Sequence, residues 1–79
     1  MAAFSGFSIG SRLILTCHAG ELNSGDEVEV VKMLGPSEST TDFPLYEQDD
    51  GIRVQKVVDN KPSGRDFEFV WECGARYFK

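Results

Sequence analysis

The sequence predicts an all-β protein: one domain over residues 1–79, built as a small antiparallel barrel or bent meander of about five short strands. Three observations carry this. In Asp66-Phe67-Glu68-Phe69-Val70-Trp71-Glu72-Cys73, the residues Phe67, Phe69, Trp71 and Cys73 share one parity, while Glu68, Val70 and Glu72 share the other. In Glu27–Leu34, Val28 and Val30 alternate with Glu27 and Glu29. No segment sustains a 3.6-residue apolar period, and clusters of Gly, Asn, Asp and Pro separate the apolar runs.

Taken in order, residues 1–6 are a lead-in from which Phe4 can tuck against the core. Residues 7–17 form the first strand, with Phe7, Ile9, Leu13, Leu15 and Cys17 facing in and a bend at Gly10-Ser11. A turn-rich stretch follows to Asp26, with room for one helical turn at 18–23. Residues 27–34 are the second strand; the doubled Val30-Val31 breaks its parity and predicts either a bulge or burial on both faces. Gly35-Pro36 stops it, and Pro36–Asp42 reads as a polar surface loop, the most mobile part of the chain.

Residues 43–47 read as a short third strand, with Pro44 at its start or on a sheet edge. Asp49-Asp50-Gly51 supplies the hairpin turn into the fourth strand, Ile52–Val58, with Ile52, Val54 and Val58 facing in. Residues 59–65 read as a loop leading to the 66–73 strand. That strand is the expected centre of the fold, because three aromatics on one face supply much of any core this short chain can build. Residues 76–79 close the chain as a terminal strand or tail.

Composition narrows the function. An apolar content of 41% and a charged content of 27% are ordinary for a folded domain. Thirteen acids against eight bases give a net charge of −5, the wrong sign for direct nucleic-acid binding and the right one for a basic protein partner. The longest apolar run near the start, Leu13-Ile14-Leu15, is too short for a secretory leader or a membrane span, so a cytoplasmic protein with no membrane partner is expected.

Catalytic and metal motifs are lacking. Cys17, His18 and Cys73 are the only residues of metal-ligand type in suggestive company, and structural zinc needs a fourth ligand and paired spacing. Both cysteines read instead as small core residues. Cys17 and His18 are neighbours on an extended chain, so their side chains diverge and cannot form a nucleophile–base pair. The carboxylates lie in turns and on outward strand positions, including Glu68 and Glu72. No enzyme, cofactor or metal site is expected.

The stretch Asn23–Val31 resembles the turn-plus-strand of SH3-like barrels, in which a Gly-Asp turn leads into an alternating Val strand. The resemblance implies a fold. SH3 domains that take proline-rich peptides line their groove with clustered aromatics, and Tyr46, Tyr77 and Trp71 do not assemble such a cluster from sequence.

The acids do gather, in two places: Asp26, Glu27 and Glu29 around the second strand, and Asp42, Glu47, Asp49 and Asp50 around the 43–52 segment. Acids two apart on a strand stand about 6.6–7 Å from each other, comparable to phosphate spacing along a nucleic-acid strand. These seven residues are the expected partner-binding set. In size and charge the chain is similar to phage-encoded inhibitors of host defence, the anti-CRISPR proteins among them. That resemblance implies a protein that mimics nucleic acid or blocks a nucleic-acid-binding complex. The alternative is an SH3-like interaction or assembly module that binds a peptide through exposed aromatics.

Overall fold

The computed structural model describes residues 2–40 and 42–79; Met1 of the lead-in and Thr41 of the 36–42 loop lie outside them. Four strands, β1 (Arg12–Ile14), β2 (Glu27–Leu34), β3 (Gly51–Val58) and β4 (Lys61–Val70), form one antiparallel sheet in the order β1-β2-β3-β4. A single turn of helix, α1 (Trp71–Ala75), follows directly on β4. The protein is all-β, as its alternation predicts, and its sheet is a bent meander that does not close into a barrel. The chain end returns to the β1 side, where Phe78 bridges Leu15 and the Lys79 amide donates to the Ile14 carbonyl at 3.0 Å.

The core sits on one face of the sheet. Val28, Val30, Ile52, Val54 and Phe69 project into it and are covered by Phe4, Leu15 and Leu22. Phe4, from the lead-in, is wholly buried, and its amide donates to the Asp49 carbonyl at 2.9 Å. The first strand is much shorter than its apolar pattern predicts. Only Leu15 of that series is fully buried, while Ile9 is 67% exposed and Cys17 is exposed. Gly10 at φ 92° bends the chain as expected, and the Gly10 amide reaches the Val30 carbonyl at 2.8 Å. Residues 19–22 close a tight turn rather than a helix, with reciprocal bonds between Ala19 and Leu22.

The second strand runs as predicted, and the ladder to β3 slips between Val30 and Lys32, so Val31 is the bulged residue. The tight hairpin lies elsewhere than Asp49-Asp50-Gly51. Val58 pairs with Lys61 across Asp59-Asn60, which stand at φ 54° and 66°. Two successive left-handed residues define the turn whose twist matches its flanking strands, and after glycine it is Asn and Asp that tolerate that conformation best. This hairpin converts the 61–65 loop into strand. A second slip between Gln55 and Lys56 leaves Gly64 and Arg65 out of the ladder, and Val58 ends up 47% exposed rather than inward.

The largest correction concerns 66–73. Phe67 and Phe69 face the core opposite Val54 and Ile52, but the strand ends at Val70. Trp71 turns out of the sheet at φ 61°, a conformation rare for a bulky residue, and Cys73 is exposed on α1. The alternating pattern therefore holds for two aromatics and fails for the third. Gly74 takes the inward place instead: a Cβ there would lie 3.2 Å from the Phe69 backbone and 3.5 Å from Phe4. The short helix can pack onto the core because this position carries no side chain.

A candidate partner-docking site

The outer face of the sheet is built from cross-strand charges. Lys32 and Arg53 stand opposite each other in the β2–β3 register, and Arg53 opposes Glu68 across β3–β4. Two facing cations would repel, so each takes an acid: Lys32 Nζ lies 2.9 Å from Glu38, and Arg53 Nε lies 3.3 Å from Glu68. Glu68 also accepts from Ser39 Oγ at 2.8 Å, Thr40 Oγ1 at 3.0 Å and the Thr40 amide at 3.1 Å. These bonds tie residues 38–40 down onto the sheet.

The Glu68 side chain is only 9% exposed, which corrects its reading as a solvated strand acid. Burial pushes its pKa up, but the bonds from Ser39, Thr40 and Arg53 outweigh that and hold it below the ordinary glutamate value. The Lys32 ammonium, by hydrogen bond and by charge, likewise holds Glu38 low.

The predicted acids of the second strand are similarly engaged. Arg12 Nε sits 2.6 Å from Glu29, with its guanidinium 3.9 Å from Glu27, and it also donates to the Asn60 carbonyl at 3.0 Å. Asp26 accepts from the Asn23 amide at 2.9 Å and faces Lys56 at 3.6 Å. Strand geometry spaces Glu27 and Glu29 as expected, yet an arginine lies across them.

The second acidic group divides. Asp50 is 9% exposed and ties down two backbone amides, Glu47 at 2.9 Å and Ala3 at 3.3 Å. Asp49 is half-buried at φ 67°, with its amide on the Leu34 carbonyl. Asp42 and Glu47 are exposed. Residues 43–47 form no strand.

What those residues form is an aromatic surface. Phe43 is 61% and Tyr46 is 71% exposed, and both rings lie against Trp71, with centroids at 6.5 Å and 5.2 Å. Two bonds anchor Trp71: its amide donates to the Asp50 carbonyl at 2.6 Å, and its indole Nε1 donates to the Pro44 carbonyl at 2.9 Å. The aromatic cluster that sequence could not assemble is thus Phe43, Tyr46 and Trp71; Tyr77 belongs with Phe69 in the core instead. The sequence signal was Phe43-Pro44-Leu45-Tyr46, whose spacing looks like strand. Leu45 alone is buried there, and its aromatic neighbours point to solvent. Exposed aromatic groups of this kind mark docking surfaces more often than isolated apolar residues do.

Among the described residues, no three His, Cys, Asp or Glu side chains gather in a metal-holding group. The chain matches no family model, no curated protein and no solved structure.

Proposed function

We propose that this protein is a non-enzymatic binding module that docks onto a basic partner protein through the Phe43–Tyr46–Trp71 surface, with Asp42 and Glu47 at its rim. One observation carries the reading. A large aromatic side chain is held in a left-handed conformation at the surface, where a strand residue would have gone into the core. Such a backbone conformation costs about 1–3 kcal/mol and persists where the surroundings enforce it, commonly at binding sites. Here Asp50 and Pro44 enforce it, and the result is an aromatic platform of the type that dominates interface energetics. This favours the interaction-module form of the function, with aromatics as anchors and acids setting orientation and association rate.

The net charge of −5 supports the narrower form, in which the partner is a nucleic-acid-binding complex and docking blocks its basic groove, as in inhibitors of the anti-CRISPR type. Affinity capture from the native host identifies the partner, and purified components then test the surface. Tyr46→Ala with Phe43→Ala should weaken binding by about 30-fold or more, since two anchor residues are lost. Reversal of Glu27 and Glu29 to Lys should change affinity less. If the strand acids matter and the aromatics do not, the partner reads the β2 face and the aromatic reading fails. Competition by nucleic acid for the captured partner separates groove blocking from simple assembly.

A further inference from the structure

Beside the aromatic surface lies a groove of about 520 Å³, lined by Tyr46 and Trp71, by Ala2 and Ala3, and by Asp50 and Glu72. Asp50 is nine-tenths buried, and the two donors it has are neutral backbone amides. Among the described residues, no Lys, Arg or His forms an ion pair with it. A carboxylate offers about four acceptor sites, so capacity remains. Glu72, also in the lining, is exposed and bridged at 2.9 Å to Arg76 one helical turn on.

We propose that this groove receives one arginine side chain of the partner, an inference that rests on the docking reading above. Three features fit a guanidinium. The ring faces of Tyr46 and Trp71 carry the negative side of their quadrupoles and suit a flat cation. Two carboxylates of like charge line one cavity, and a cation between them relieves both. The guanidinium also presents a planar fork of donors, which can meet Asp50 and Glu72 while its aliphatic stem lies along the alanines. The 36–40 segment offers no comparable site, because Lys32 already pairs with its one acid, Glu38.

Trp71 is the sole tryptophan of the chain, so its emission reports on this groove directly. The probes are a capped pentapeptide with one arginine among glycines and its citrulline twin, which keeps the shape and lacks the charge. The arginine peptide should shift Trp71 emission saturably with a Kd near 1 mM, and the citrulline peptide should bind at least about ten-fold more weakly. Glu72→Gln, at an exposed position where folding is undisturbed, should weaken the arginine peptide several-fold. Arg76→Gln, which releases Glu72 from its own bridge, should tighten it.

Asp50→Asn should remove binding, and its thermal midpoint is measured alongside because Asp50 also holds the 47–50 turn. Equal response to arginine and citrulline overturns the inference, as does no saturable shift up to about 10 mM or indifference to both Glu72→Gln and Arg76→Gln. If the peptides behave alike while Phe43→Ala and Tyr46→Ala still abolish partner binding, the arginine pocket falls and the docking surface stands.

Discussion

The molecule carries two aromatic clusters of similar internal geometry and opposite placement. Phe4, Phe7, Phe69, Tyr77 and Phe78 pack with ring centroids 4.7 to 6.2 Å apart. Phe43, Tyr46 and Trp71 pack with centroids 5.2 and 6.5 Å apart. The first cluster is closed over by the lead-in and the returning C-terminus, so its rings count as core. The second is left open to water. Along the chain, only Val70 separates Phe69 of one from Trp71 of the other. The difference is made by one left-handed residue, whose turn sends the next aromatic side chain to the opposite environment. Ring-to-ring contact therefore does not tell core from exposed surface. What closes over the rings does.

The sharpest way to break this comparison is to truncate one member of each cluster. Phe69→Ala should lose about 3–5 kcal/mol of stability, enough to threaten a domain of this size. Tyr46→Ala, at a largely exposed position, should stay within about 0.5 kcal/mol. Urea denaturation measures both, and comparable losses would erase the distinction.

The seam between the clusters comes next. Gly74→Ala forces a methyl against Phe69 and Phe4 and should destabilise by about 1–3 kcal/mol. Trp71→Gly should be more stable than Trp71→Ala by roughly 1 kcal/mol, because glycine alone is at ease at positive φ. Alanine as the better replacement would mean that the backbone at Trp71 is not left-handed.

Glu68 tests the loop whose far end leads to Phe43. Glu68→Gln removes charge-assisted bonds from Arg53, Ser39 and Thr40 and should cost about 1.5–3 kcal/mol. The native carboxylate has its pKa lowered, so the unfolded chain binds the proton more readily. Its contribution is fully present above the unfolded value of about 4.3 and is lost as pH falls through the lower folded pKa. The acid limb of the stability–pH curve should therefore flatten in Glu68→Gln. An unchanged limb would assign the acid sensitivity elsewhere. Least of all, Glu72→Gln should move stability by less than about 0.5 kcal/mol, since its helical ion pair with Arg76 is exposed on both sides.

The strands were legible where alternation and turn chemistry agree. Glu27–Leu34 and 52–58 follow directly from alternating Val and Ile, and the Val30-Val31 doublet announces its own bulge. The acids of the expected site were legible as a list but not as a surface. Whether Glu29 is free or lies under Arg12, and whether Glu68 faces water or residues 39–40, depends on register and loop path. Period-2 counting has no means of seeing either. It also cannot see where a strand stops when the next residue keeps parity, which is why the pattern puts Trp71 and Cys73 inward.

Sequence by itself determined the all-β class, the strand segments 27–34 and 52–58, and the net acidic charge. Those properties reside in side-chain alternation and composition, which each segment carries locally. Tertiary structure decided which of two Asp-containing turns became the hairpin, which acids were neutralised, and which aromatics were left at the surface. Each of these outcomes depends on contacts between residues distant in the chain. Asp50 and Pro44 hold Trp71 outward from more than twenty residues away, and no local pattern at Trp71 encodes that arrangement.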